Sequence, residues 1–258
     1  MTHFTSLDLK NKIIAHRGES FEAPENTLAS IKLAWERGVK IVEIDVQLTL
    51  DKKIIVFHDY NTKKLTGINR SIKKSKFASL ENLDVGLWKE KKWSGQNIPK
   101  LIEVLQSAPD DGKLIIEIKS GEETIPVLKN ILAQSSLRDE QIEIISFNRS
   151  VVIQAKKQLP RIKVLYLAEL DYTWLHKVFG PSKNRLIRFA KEHHLDGLNV
   201  WAGKLLDEAF IINVKKSGLL IYTWTVNDLN HAKKLLFWGI DAVTTDRPSW
   251  MIDKLSGE

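Results

Sequence analysis

Cysteine is absent from the 258 residues. No disulfide framework, thiolate metal site or cysteine nucleophile can therefore exist. Long apolar runs are missing too, and none approaches the length of a membrane span. The first residues, MTHFTSLDLKNK, lack the apolar stretch of a signal peptide, so the expected location is the cytoplasm. There is no internal repeat and no low-complexity tract. No glycine-rich dinucleotide fingerprint follows any strand candidate, which counts against a nucleotide-binding open sheet.

What is present is ordinary in bulk. A hydrophobic fraction of 43% suits a soluble globular protein with a sizeable core, built as one large α/β domain or two small ones. The formal charge of +7 is unevenly placed. Residues 60–100 hold ten Lys and Arg against three acids, so the remainder is close to neutral. Such local basicity suits an acidic small substrate or a lipid surface rather than nucleic acid. A solvated lysine face is the plainer reading. Membrane association is allowed but not indicated, and the oligomeric state is not specified.

Short β-branched runs alternate with helical patterns. The strand candidates are KIIAH, KIVEIDV, KLIIEIK, IEIISF, IKVLYL, LDGLNV, LLIYTW and IDAVTT. Amphipathic stretches such as PENTLASIKLAWERG and LDEAFIINVKKSG lie between them. Pro24, Asn26 and Gly38 punctuate the first, and the second runs into Gly218. Near-continuous apolar strands alternating with helices predict a parallel sheet. Eight such units in this length predict an α/β fold of the (β/α)8 TIM-barrel class, a single catalytic domain over 1–258. Residues 60–100 break the rhythm. They are polar, basic and weakly periodic, and read as a small insertion on the catalytic face after the second barrel strand.

In such a barrel the site lies at the C-terminal strand ends. Glu43 and Asp45 share one face of the second strand, with Cα atoms about 6.6 Å apart. Two bare carboxylates there repel by roughly 2.5 kcal/mol at an effective dielectric near 20. An open face, a protonated acid or a cation would each resolve this. Glu117 on the third strand adds a third carboxylate, and an oxygen cup without cysteine selects a hard divalent cation, Mg²⁺ or Ca²⁺. The rival is a structural charge network with Arg17 and Lys119. His16 and His58 form a natural proton-transfer pair, with Asp59 placed to hold His58. A Zn²⁺ site using both histidines competes. His193 and His194 fit a helix end, while His3, His176 and His231 have no carboxylate company. Arg17 and Lys119 suit a phosphate. Trp224 is either a barrel filler or a platform for a substrate's carbon skeleton. Trp88 and Trp93 either pack the insertion down or contact lipid or substrate.

The segments AHRGESFEAPENT, EIDVQLTLD leading to FHD, IEIK, ISFN, YTWTVN and AVTTDRP, in this order, resemble the glycerophosphodiester phosphodiesterase family. They span most of residues 13–248. The resemblance implies a TIM barrel with an insertion after its second strand. It implies a divalent metal at Glu43, Asp45 and Glu117, acid-base roles for His16 and His58, and phosphate contacts from Arg17 and Lys119. One departure is Lys52, where the family often has glycine after Asp51.

The implied reaction is metal-dependent hydrolysis of a glycerophosphodiester to glycerol phosphate and an alcohol. The attacking group is water or the neighbouring glycerol hydroxyl. Two other functions stay open: a lysophospholipid-cleaving phosphodiesterase at a lipid surface, and a non-catalytic phosphate-binding barrel. The basic insertion is expected to act as a lid, with its tryptophans on the leaving-group side.

Overall fold

The computed structural model describes residues 5–170 and 182–257. His3 and His176 lie outside them. Among the described residues nine strands follow in chain order: β1 (Ile13–His16), β2 (Ile41–Leu48), β3 (Ile54–Val56), β4 (Lys113–Ile118), β5 (Ile142–Ser146), β6 (Lys163–Ala168), β7 (Gly197–Trp201), β8 (Leu220–Trp224) and β9 (Ala242–Thr245). Eight of them are parallel, in the order β1-β9-β8-β7-β6-β5-β4-β2, and β1 pairs with β2 to close the ring. This is a (β/α)8 barrel. All eight strands coincide with the apolar runs of the sequence. β3 folds back antiparallel on β2.

Alternation inside each strand separates two cores. Val42, Ile44 and Val46 of β2 point outward and pack with helix residues such as Ile31, Ala34 and Leu101. Burying each such side chain contributes about 1.5–3 kcal/mol. Ile14, Ile41, Ile115, Ile145 and Leu165 fill the barrel's interior. Nearer the C-terminal ends the inward positions turn ionic. Ile14 is followed two positions on by His16, Ile41 by Glu43 and Asp45, and Ile115 by Glu117 and Lys119. The outer layer therefore supplies packing while the upper inner layer supplies chemistry.

Residues 60–100 are neither helix-rich nor shapeless. Short helical turns at Lys63–Thr66, Ile72–Lys74, Phe77–Ser79 and Lys91–Trp93 surround a separate apolar cluster. Phe57, Leu65, Ile72, Phe77, Leu80 and Val85 are buried there with Ile55 of β3. Weak periodicity reflects these short turns: each lends one or two apolar residues to a small core. Among the described residues no helix is long and apolar enough to cross a membrane.

Candidate active site

The turn after β1 carries much of the site. Arg17 adopts φ 58° and Gly18 φ 86°. A Cβ on Gly18 would stand 2.5 Å from the Ser30 backbone carbon, so only glycine fits where the turn passes under helix Leu28–Glu36. That helix is capped by Thr27, whose side chain accepts from the Ser30 N–H. Asn26 is freed for another task. At φ 58° it donates to Asp45 Oδ2 at 2.8 Å and accepts from the Asp45 N–H at 3.1 Å. It thus fixes both strand and carboxylate at the centre of the cup.

Asp45 is fully buried. Its Oδ2 lies 3.0 Å from Arg17 Nε, and its Oδ1 lies 3.5 Å from Lys119 Nζ. Burial opposes its charge, but Arg17, Lys119, His58 and Asn26 outweigh burial and hold its carboxyl at about 2. Glu43 goes the other way. Burial, Asp45 and Glu117 push its carboxyl well above the usual range. Burial and Asp45 likewise push Glu117 to about 7, against the pull of Lys119 at 2.9 Å. Arg17 also donates to Glu25 at 2.8 Å. Burial disfavours its charge, yet Asp45, Glu25 and Glu43 raise its pKa above the ordinary value.

The protein groups alone therefore combine two answers to the carboxylate repulsion. One acid is charge-paired, and its neighbours are driven towards the neutral form. The fit to a cation rests on further observations. One oxygen from each of Glu43, Asp45 and Glu117 lies within 4.8 Å of the others. Glu43 Oε1 and Asp45 Oδ1 are buried with no hydrogen-bond donor. Orphaned carboxylate oxygens converging on one point suit a hard divalent cation. The charge network with Arg17 and Lys119 also exists, so the two readings of these acids are compatible. No histidine joins the oxygen cluster, which counts against a zinc site built on His16 and His58.

Both histidines line the same cleft, of about 350 Å³, with Glu43, Glu117, Lys119 and Trp224. His16 Nδ1 lies 2.6 Å from Asp246 Oδ1, and His58 Nδ1 lies 2.7 Å from Asp59 Oδ1. With Nδ1 engaged, Nε2 is the ring nitrogen left for chemistry in each. Burial resists charge on Asp246, but hydrogen bonds from His16, Asn227 and Ser20 hold it at about 2. Burial lowers the pKa of His58, partly countered by Asp45. The His58 loop is held from beneath: the buried Gln47 amide reaches the carbonyls of Phe57, His58 and Asp59 at 2.7–3.1 Å.

The opposite wall is apolar. Ile145, Phe147, Leu167 and Trp224 line it, and the Phe147 and Trp224 rings meet edge to face at 5.6 Å. All eight sequence-predicted site residues except Asp45 line the cleft, and Asp45 lies directly behind it. The tryptophans of the insertion do not line it. Trp93 donates to the Glu22 carbonyl and fastens the insertion to the turn after β1, whereas Trp88 donates to the Val85 carbonyl within its own loop. Glu25, Gln47 and Asp246 were assigned no role from sequence, and Asn26 only that of helix punctuation. Their one sequence signal was position, since Asp246 ends the last strand and the others flank motif residues.

Residues 16–249 match the glycerophosphoryl diester phosphodiesterase family. The chain belongs to that family and is a phosphoric diester hydrolase. It is 30% identical to a glycerophosphodiester phosphodiesterase of Caldanaerobacter subterraneus, over 95% of this chain and 98% of that one. It is 25% identical to human lysophospholipase D GDPD1, over 95% of this chain and 86% of that protein. A phosphodiesterase of Oleispira antarctica, solved with the product sn-glycerol-3-phosphate, superposes with a TM-score of 0.85. That pair shares 30% identity over 99% of this chain and 100% of the other.

Proposed function

We propose that this chain hydrolyses water-soluble glycerophosphodiesters to glycerol phosphate and an alcohol, with a divalent cation, Mg²⁺ or Ca²⁺, held by Glu43, Asp45 and Glu117. The observation that carries the reading is a single cleft in which Glu43 and Glu117, converging with Asp45 just behind them, share the lining with two carboxylate-oriented histidines. The family match and the glycerol phosphate bound to the Oleispira relative support the substrate class.

A bound cation would offset charge that builds on the phosphoryl oxygens. The remaining roles fall to side chains. Arg17 and Lys119 stay charged beside the cup and bind the phosphate. Asp246 and Asp59 orient the imidazoles. One Nε2 takes a proton from the attacking water, or from the glycerol hydroxyl when a cyclic phosphate forms first and water then opens it, and the other gives a proton to the departing alkoxide. Phe147 and Trp224 wall the side where the carbon skeleton lies. The test is product analysis with glycerophosphocholine, glycerophosphoethanolamine and glycerophosphoglycerol. Glycerol phosphate and the free alcohol should appear in equal amounts. His16→Ala and His58→Ala should each lose nearly all turnover. Near-wild-type turnover in His58→Ala would exclude the proton-transfer role.

A further inference from the structure

Exposed apolar side chains are unevenly distributed over the molecule. Eleven large hydrophobic residues are exposed among the described residues. Three of them, Leu7, Ile212 and Phe237, sit singly on outer helices, which is normal for a soluble protein. The other eight lie at or beyond the C-terminal strand ends, on the face where the cleft opens. Five belong to the hairpin and insertion after β2: Leu50, Tyr60, Ile68, Leu87 and Trp88, between 41% and 69% exposed.

Four of these, Leu50, Tyr60, Leu87 and Trp88, flank the mouth on two sides. Leu50 and Tyr60 border a groove with Lys52, Lys73 and Lys119. Tyr60 also borders a second groove, which includes His58, Lys63 and Lys64. Leu87 and Trp88 stand on the His16 side. There Lys89 ties their loop to the Ser20 carbonyl at 2.7 Å, and Ser20 in turn reaches Asp246. The apolar tips are interleaved with cations. Lys63, Lys64, Lys73, Lys74, Lys91 and Lys92 are all exposed. Lys92 also lies 5.4 Å from the Trp93 ring.

Exposed Leu and Trp between lysines, on one face, match the chemistry of an anionic lipid interface. Apolar tips enter the headgroup layer while ammonium groups meet lipid phosphates. A protein partner would need no such excess of one charge sign. We propose that the strand-end face docks on an anionic lipid bilayer, with Leu50, Tyr60, Leu87 and Trp88 as the inserting tips. The lysines and Trp88 were legible from sequence as a lipid contact; only the fold shows that Leu50, Tyr60 and Leu87 are exposed and flank the cleft with them. Docking in this pose turns the mouth towards the bilayer, where a glycerophosphodiester lipid with a single acyl chain would meet it. That consequence rests on the diesterase reading, whereas docking does not.

The experiment is sedimentation of the full chain with vesicles of phosphatidylcholine alone or mixed with phosphatidylglycerol. The mixed vesicles should bind at least about tenfold more tightly, and raising salt should weaken binding. Leu50→Ser with Leu87→Ser should lower binding to the mixed vesicles by about tenfold or more, at an unchanged melting temperature. Lys73→Glu with Lys74→Glu should lower it mainly at low salt. Turnover of soluble glycerophosphocholine, measured on the same variants, should be unaffected. Equal binding to both vesicle types, or to neither, would overturn the proposal. So would full binding by the serine variant, which would leave only diffuse ionic attraction. Concentration-dependent dimers abolished by Trp88→Ser would also overturn it, because a second copy would then cover the face.

Discussion

Asp246 is placed to orient His16, a residue the proposed reaction uses. It sits 230 positions from His16 in sequence yet bonds its Nδ1. Its carboxyl, held at about 2, stays ionised wherever the enzyme would work. Asp246→Asn should therefore lower turnover by about 10²-fold or more while leaving the fold intact, as steady-state kinetics and circular dichroism would show. The histidines and carboxylates of the proposed site were legible in the sequence because polar residues interrupt or end apolar strands. Asp246 and Asn26 were not, because their meaning lies in a partner the chain reaches only through folding. Glu143 is a contrasting buried acid. It lies inside β5, donated to by Tyr222 at 3.3 Å, with Oε2 unpaired. Burial raises its pKa despite Lys163. A raised carboxyl binds its proton more tightly when folded, so the fold loses stability as pH climbs above the unfolded value near 4.3. Glu143→Gln should thus raise stability at pH 8 and change it much less near pH 4. Denaturant titrations at the two pH values test this, and a constant difference would refute it.

Elements were more legible than their ends. The strands emerged because apolar runs of four to eight residues repeat between helical patterns. The helix after β1 was placed correctly, but Asn26 looked like its punctuation while Thr27 caps it. Both residue types cap helices well, so local propensity could not separate them. The insertion hid its small core because 3₁₀ turns have no long period to detect. Asp84 pins its outer loop by accepting from the Gly86, Leu87 and Gly95 N–H groups. The β2–β3 hairpin explains the departure at Lys52. That residue stands at φ 60°, a conformation costing a non-glycine residue about 1 kcal/mol. Lys52→Gly should therefore stabilise the fold by up to about 1 kcal/mol, read as a higher melting temperature with unchanged turnover. A lower melting temperature would mean that the lysine side chain supports the turn.

On the scale of the whole molecule, the barrel separates stability from chemistry along each strand. Outward residues carry the packing, and inward residues change from apolar to ionic towards one end. That gradient let the fold and the carboxylate cup be read together. What surrounds the mouth could not be read, because exposure follows from tertiary packing. The central claim is that Glu43, Asp45 and Glu117 act through a hard divalent cation. The most direct test is turnover of glycerophosphocholine after exhaustive dialysis against EDTA, followed by separate additions of Mg²⁺, Ca²⁺ and Zn²⁺. Turnover should vanish on dialysis and return with Mg²⁺ or Ca²⁺ in the wild type. In Asp45→Asn it should stay at least about 10²-fold lower after the same additions. Full turnover of the dialysed wild type, or its restoration by Zn²⁺ alone, would contradict the account.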